Sequence, residues 1–281
     1  MINHNSISEI RTLLEEEGIA LKKRFGQNFL VDSRARERIA DAVFAAIPEE
    51  DRRRGEVWEI GPGIGSLTHL LRSGGCRLRL FEVDRGLIRV LKREYGEEVT
   101  IEEGDFLHTL SALDPRSISA PVGVVGNLPY SSASAMVARI IESPWSVPVM
   151  VFLVQAELAD RFTAVPGRKD YSALSVLVQS HYAVRVVFHI GGGAFYPPPT
   201  VGSTVVVLHR TGDHPDREEM QRTSEIARQA FSQRRKTLRN TLREYVPILE
   251  SLGIDPGERP ERLSPDDFHR IAAATLRREQ D

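Results

Sequence analysis

Val57-Trp58-Glu59-Ile60-Gly61-Pro62-Gly63-Ile64-Gly65-Ser66-Leu67-Thr68 is the stretch that decides the fold. A short apolar strand runs straight into glycines at every second position, and Ser66-Leu67-Thr68 then starts a helix. Glycines so placed let the main chain turn sharply and let a ligand approach the backbone closely. The helix behind them aims free N–H groups at the same point. A dinucleotide fingerprint would read Gly-x-Gly-x-x-Gly. Here the third glycine comes one position early, and an acid, Glu59, stands two residues before the first.

Outward from this loop, strand and helix patterns alternate. Strands are predicted at 56–60, 77–83, 99–103, 122–126, 147–154, 184–190 and 203–209. Helices fall near 66–73, 85–95, 131–143, 155–164 and 172–182. Alternation of this kind implies an α/β fold whose parallel sheet is covered on both faces. The last two strands are joined only by a Gly- and Pro-rich segment, 191–199, so they are expected to pair antiparallel. Acids stand at successive strand ends. Glu82 lies about twenty residues past the loop, where doubly wound folds place a ribose-binding carboxylate. Asp105 can accept a hydrogen bond from an adenine amine, and Phe106 can pack on the ring. Glu59-x-Gly61-x-Gly63-x-Gly65 resembles the first motif of class I S-adenosylmethionine (SAM)-dependent methyltransferases. That resemblance implies a Rossmann-like sheet of seven mostly parallel strands, the last antiparallel, with SAM as cofactor.

The predicted strand Val122-Gly123-Val124-Val125-Gly126 ends in Asn127-Leu128-Pro129-Tyr130. The tetrapeptide offers a side-chain carbonyl, a main-chain carbonyl, a rigid turn and an aromatic face. Those parts can hold a planar base by its exocyclic amine and stack its ring. Pro129 has no N–H and keeps Leu128 out of the helical region, so the turn is stiff.

Length and composition bound the rest. A chain of 281 residues suffices for one large or two modest domains. Its 41% apolar and 27% charged residues are those of a soluble globular protein, and its apolar runs are too short for a membrane span. The start, Met1-Ile2-Asn3-His4-Asn5, lacks a signal pattern, and Cys76 is the single cysteine. Both fit a cytoplasmic setting. The eight histidines are scattered without ligand spacing, so no metal is expected. Nothing marks a subunit interface, and a monomer is expected.

Net charge is −2, but it is polarised. Lys22-Lys23-Arg24 forms one basic cluster, and Arg34, Arg36 and Arg38 a second. The third gathers Arg228, Arg234, Arg235, Lys236, Arg239 and Arg243, with no acid between them. Arg235, Arg239 and Arg243 recur every fourth residue and are predicted to share one helix face. Such a face suits nucleic-acid phosphates. Near the N-terminus, Ser6 or Ser8 caps a first helix through Ile10, Leu13 and Leu14. Asp32 or Ser33 caps a second through Ile39, Val43 and Ile47. After His209 the texture changes. Gly212-Asp213-His214-Pro215-Asp216 reads as a linker. Beyond it, Ile226, Ala230, Phe231, Leu238 and Leu242 recur at helical spacing. The predicted domains are 1–210, with a helical extension over 1–50, and a small all-helical domain at 211–281.

Three more stretches carry a broader likeness. They are Lys22-Lys23-Arg24-Phe25-Gly26-Gln27-Asn28-Phe29-Leu30, the segment Gln155 to Gln179 with Lys169-Asp170-Tyr171, and Phe231-Ser232-Gln233-Arg234-Arg235-Lys236-Thr237-Leu238-Arg239-Asn240. With the two motifs above, the chain resembles the KsgA/RsmA family of ribosomal RNA adenine N6,N6-dimethyltransferases, bacterial branch, over residues 7 to 278. The resemblance implies methyl transfer from SAM to two adjacent adenosines in a loop near the 3′ end of 16S rRNA, the partner being the small ribosomal subunit. It implies that Asn28 and Leu30 line the SAM pocket, and that Gly61, Gly63, Glu82, Asp105, Phe106 and Asn127 hold the donor. Asn127, with Leu128, Pro129 and Tyr130, would grip the target base, and Phe195 would help sandwich it. Lys22, Lys23, Arg24, Arg234, Arg235, Lys236 and Arg239 are expected on RNA phosphates.

The chain departs from the family pattern at Ser131-Ser132-Ala133, at Thr200 and Gly202 in the proline-rich segment, and at Ala156. A 23S rRNA adenine methyltransferase of the erythromycin-resistance type is the alternative enzyme. A ribosome-assembly factor with methylation secondary is the alternative class. The segments around Lys169 and Gln233 favour the small-subunit reading.

Overall fold

The structure, a computed structural model, describes residues 2–21, 27–212, 217–233 and 235–280. The chain forms two compact units, one of Met1–Ala156 with Arg185–His209, the other of Glu157–Val184 with Arg210–Asp281.

In the first unit, β1 (Phe29–Leu30), β2 (Glu56–Ile60), β3 (Arg77–Glu82), β4 (Thr100–Glu103), β5 (Gly123–Asn127) and β6 (Val149–Gln155) come first. They are followed by β7 (Tyr182–Ile190, within this unit from Arg185), β8 (Phe195–Tyr196) and β9 (Ser203–Arg210). Seven of these form one sheet in the order β4-β3-β2-β5-β6-β9-β7. β2 pairs in parallel with β3 and β5, β3 with β4, and β5 with β6; β9 runs antiparallel to β6. The expected sheet is therefore present, with its last strand reversed. In β2, β5, β6 and β9 almost every residue is buried, whichever way it points. Burial without alternation means that both faces are covered.

The helices of this unit are α1 (Ile7–Glu16), α2 (Ser33–Ala46), α3 (Glu49–Arg54), α4 (Thr68–Ser73), α5 (Arg85–Tyr95), α6 (Phe106–Ala112) and α7 (Ala133–Ile141). Four of them, α1, α2, α5 and α6, start at capping side chains. Ser6 accepts the Glu9 N–H, Asp32 the Ala35 N–H, and Asp84 the N–H groups of Gly86 and Leu87. β1 and β8 were not predicted. They form a separate antiparallel ribbon in which Phe29 opposes Tyr196 and Leu30 opposes Phe195.

The second unit holds α8 (Ala156–Thr163, in this unit from Glu157), α9 (Ala173–Gln179), α10 (Arg217–Phe231), α11 (Leu238–Thr241), α12 (Val246–Ser251) and α13 (Pro265–Gln280). Sequence placed 157–184 with the sheet. In the structure these residues build one core with the C-terminal helices. Tyr171 and Val176 are buried in a cluster with Ile226, Ala230, Leu238 and Phe268. The Tyr171 hydroxyl donates to the Leu263 carbonyl at 2.9 Å. The predicted linker is largely residues 213–216, outside the described ones.

Candidate functional site

The glycine loop is built by three left-handed residues, Gly61 (φ 66°), Gly63 (φ 61°) and Gly65 (φ 82°). A side chain at these positions would be strained. Gly63 is also crowded: a Cβ there would lie 3.2 Å from two ring carbons of Phe29. The loop is pinned from behind. Gly61 N–H donates to the Phe81 carbonyl at 2.9 Å, and the Tyr95 hydroxyl donates to the Gly65 carbonyl at 2.9 Å. Beneath it, the buried Glu59 carboxylate accepts the Thr68 hydroxyl at 2.7 Å. Glu59 is 2% exposed, and burial pushes its pKa up to about 7. α4 starts at Thr68, two residues later than predicted.

Glu82, at the end of β3, accepts N–H groups from Gly63 (3.2 Å), Val83 (2.9 Å) and Asp84 (2.9 Å). Burial pushes its pKa up to about 7 while those donors pull it down. The carboxylate thus ties the glycine loop to the next strand end. Asp105 caps α6 by accepting the Leu107 N–H through one oxygen at 2.9 Å, and its second oxygen is left to accept from a ligand. Phe106 meets Phe81 edge to face, ring centres 5.1 Å apart.

These parts surround a cavity of about 250 Å³. Asn28, Gly61, Gly63, Glu82, Asp105 and Phe106, all predicted for the donor, line it. So do Asn127 and Pro129 of the acceptor motif. Among the described residues, its ionisable lining is Glu82 and Asp105, with no Lys, Arg or His. Two acids as the charged groups among the described lining residues suit a cationic ligand better than a phosphate. Leu30 lines a smaller adjoining cavity, about 40 Å³, together with Glu59 and Asn127. The glycine cradle, the acids and the Phe106 ring fit SAM.

Asn127 is the last residue of β5, and its amide nitrogen donates to the Asn28 carbonyl at 3.0 Å. That bond fixes which way the amide faces and leaves its oxygen to accept. Leu128 is buried, with its N–H on the Leu153 carbonyl at 3.0 Å. The Tyr130 and Ser203 hydroxyls share a hydrogen bond of 2.7 Å, so the tyrosine is tethered to the start of β9.

Phe195, expected to help sandwich the base, is not among the lining residues of this cavity. Opposite Leu30 in the small ribbon, its ring is 3% exposed and lies within the apolar core of the unit. In this conformation it presents no face to a base. Residues absent from the predicted site also line the cavity, among them Phe29, Ser131, Ser132 and Met136. Phe29 was inside a quoted signature, and the two serines directly follow the acceptor motif. Among the described residues, no group of three or more His, Cys, Asp or Glu is placed to hold a metal, and no helix is long and apolar enough to cross a membrane.

The basic clusters are rearranged. Lys22, Lys23, Arg24 and Arg234 lie outside the described residues. Arg235, Lys236 and Arg239 are exposed on the second unit. The predicted shared helix face of Arg235, Arg239 and Arg243 is not formed. α10 ends at Phe231, Thr237 is extended, and Arg239 and Arg243 sit in separate short turns. Leu238 is buried there, and its N–H is taken by the Glu258 carbonyl at 2.8 Å, which turns the chain inward. Arg36 is structural: it is buried and donates to the carbonyls of His4 (2.8 Å) and Leu30 (3.1 Å).

Comparison with known proteins identifies the family. The family model for ribosomal RNA adenine dimethylase matches residues 18–275. Ribosomal RNA small subunit methyltransferase A of Pseudomonas aeruginosa is 39% identical over 257 residues, covering 89% of this chain and 93% of the relative. The protein of the same name from Treponema denticola is 35% identical, covering 95% of this chain and 93% of the relative. Among solved structures, 23S rRNA methyltransferase ErmE superposes with a TM-score of 0.63 at 25% identity, covering 88% of this chain and 99% of that one. A dimethyladenosine transferase from Plasmodium falciparum, at 22% identity, gives a TM-score of 0.69 over 88% of this chain and 97% of that one, and so shares the fold.

Proposed function

The chain belongs to the ribosomal RNA adenine dimethylase family, and on that premise we propose that it transfers methyl groups from SAM to N6 of two adjacent adenosines in the 3′-terminal hairpin loop of 16S rRNA. The products are N6,N6-dimethyladenosines, made on the small ribosomal subunit in the cytoplasm. The observation that carries the reading is a glycine-loop cavity with the acids Glu82 and Asp105 in its wall, opening onto the Asn127 amide. SAM, when bound, supplies an electrophilic methyl group.

The residues do the remaining work. Glu82 and Asp105 hold the ribose and adenine of the donor, and Phe106 walls its ring. On the acceptor side, Asn127 Oδ1 and the Leu128 carbonyl take the two N–H bonds of the adenine amine. That draws the nitrogen toward tetrahedral geometry and frees its lone pair, which is otherwise delocalised into the ring. Asn28 keeps the Asn127 oxygen facing the base by occupying the amide nitrogen. Pro129 fixes the Leu128 carbonyl, and Tyr130, anchored through Ser203, offers the stacking face. Positioning supplies most of the acceleration, and the attacking amine sheds its proton once methylated, so no strong base is required. Exposed Arg235, Lys236 and Arg239 meet RNA phosphates.

Incubation with labelled SAM and small subunits lacking these modifications tests the proposal. Label at the two adjacent adenosines of the 16S terminal loop supports it. Label on 23S rRNA, or none on either subunit, refutes it.

A further inference from the structure

Helix α1 walls one side of the donor loop with residues that precede the family-matched stretch. Ile10 and Leu14 are buried in one apolar cluster with Phe29, Ile64 and Leu87. Phe29 and Leu87 line the donor cavity, and Ile64 lies inside the glycine loop. One polar contact fastens the helix to the β1–β8 ribbon. Arg11 Nε donates to the Tyr196 hydroxyl at 2.9 Å, and the guanidinium carbon lies 5.0 Å from the centre of the tyrosine ring. Tyr196 is the register partner of Phe29 across the ribbon. Phe29 in turn rests against Gly63, as the 3.2 Å clearance to an added Cβ shows. Contacts therefore run from Arg11 through Tyr196 and Phe29 to the loop.

We infer that Arg11 and Tyr196 are positioning residues for the methyl donor, holding the Phe29 ring against the glycine loop so that the cavity is shaped before the donor enters. Neither residue lines the cavity. Their effect passes through Phe29: a ring already ordered loses little freedom when a ligand packs on it, whereas a loosened one must be ordered at the expense of affinity. The signature is weaker donor binding with an unchanged transfer step. This inference deepens the proposed function and rests on its reading of the cavity as a SAM site.

The test is calorimetric titration of SAM, without RNA, into wild type, Arg11→Met, Tyr196→Phe and the double variant, followed by methyl transfer to small subunits at saturating SAM. Each single variant is expected to bind SAM about threefold to tenfold more weakly, the size of one net hydrogen bond. The double variant should bind no worse than the weaker single, because both remove one interaction. Arg11→Lys should recover part of the loss, and kcat at saturating SAM should match wild type. Unchanged SAM affinity in both singles, additive losses, or a fall in kcat with Kd unchanged would overturn the inference. Absence of SAM binding by the wild type would instead overturn the proposed function beneath it.

Discussion

Replacing Thr68 by Val removes a hydroxyl and keeps the shape. Thr68 and Glu59 are both buried, and their 2.7 Å hydrogen bond couples the start of α4 to the strand that enters the glycine loop. Burial raises the Glu59 pKa from 4.5 to about 7. The folded state therefore holds more protons than the unfolded state between those values. Glu59 costs stability progressively as pH rises through that window, and the cost is constant above it. The Thr68 hydroxyl offsets part of that cost by donating to the carboxylate. At pH 8.5 the variant loses a bond to a charged acceptor, about 1.5–3 kcal/mol; at pH 5.5 Glu59 is protonated and a neutral bond is lost, about 0.5–1.5 kcal/mol. For a unit of this size these losses correspond to a midpoint drop of about 3–12 °C at high pH against about 1–6 °C at low pH. Thermal unfolding of both proteins at the two pH values measures it. A penalty equal at both pH values, or larger in acid, would refute the account of Glu59 as a buried carboxylate held by Thr68.

Other perturbations bear on separate parts of the account. Gly63→Ala forces a left-handed alanine and crowds Phe29. About 1–2 kcal/mol of backbone strain predicts SAM binding weakened about tenfold, measured by titration; native affinity would contradict the loop geometry. Reversing both Arg235 and Arg239 to Glu should weaken small-subunit binding and flatten its salt dependence, with SAM titration unchanged. Loss of SAM binding in that variant would assign the two arginines to folding instead.

What sequence could reveal followed from how locally each feature is encoded. Gly61, Gly63 and Gly65 must be glycine for conformational reasons, so the loop was legible, and with it the strand before it, the helix after it and the acid Glu82. Asn127 and Pro129 lie next to one another in the chain and end a strand, so their joint place in the cavity was legible too. Phe195 was not. Its burial depends on a two-residue ribbon with Leu30, a pairing across 165 positions that no periodicity announces. The exposed arginines misled for a related reason. Their fourfold spacing matches a helix, but the path there is set by buried Leu238 and its bond to Glu258, so the chain turns before the spacing can act. Residues 157–184 likewise carry ordinary helical patterns. Their membership in the second unit is decided by Tyr171 and Val176 finding distant apolar partners.

The account turns on the Asn127 amide oxygen gripping the target amine. Single-turnover methyl transfer by Asn127→Ala to unmodified small subunits, with SAM affinity measured in parallel, addresses it most directly. Misplacing the nucleophile should slow transfer by about a hundredfold or more, while SAM binding changes only a few-fold. Transfer at the native rate would contradict the acceptor site and the mechanism built on it.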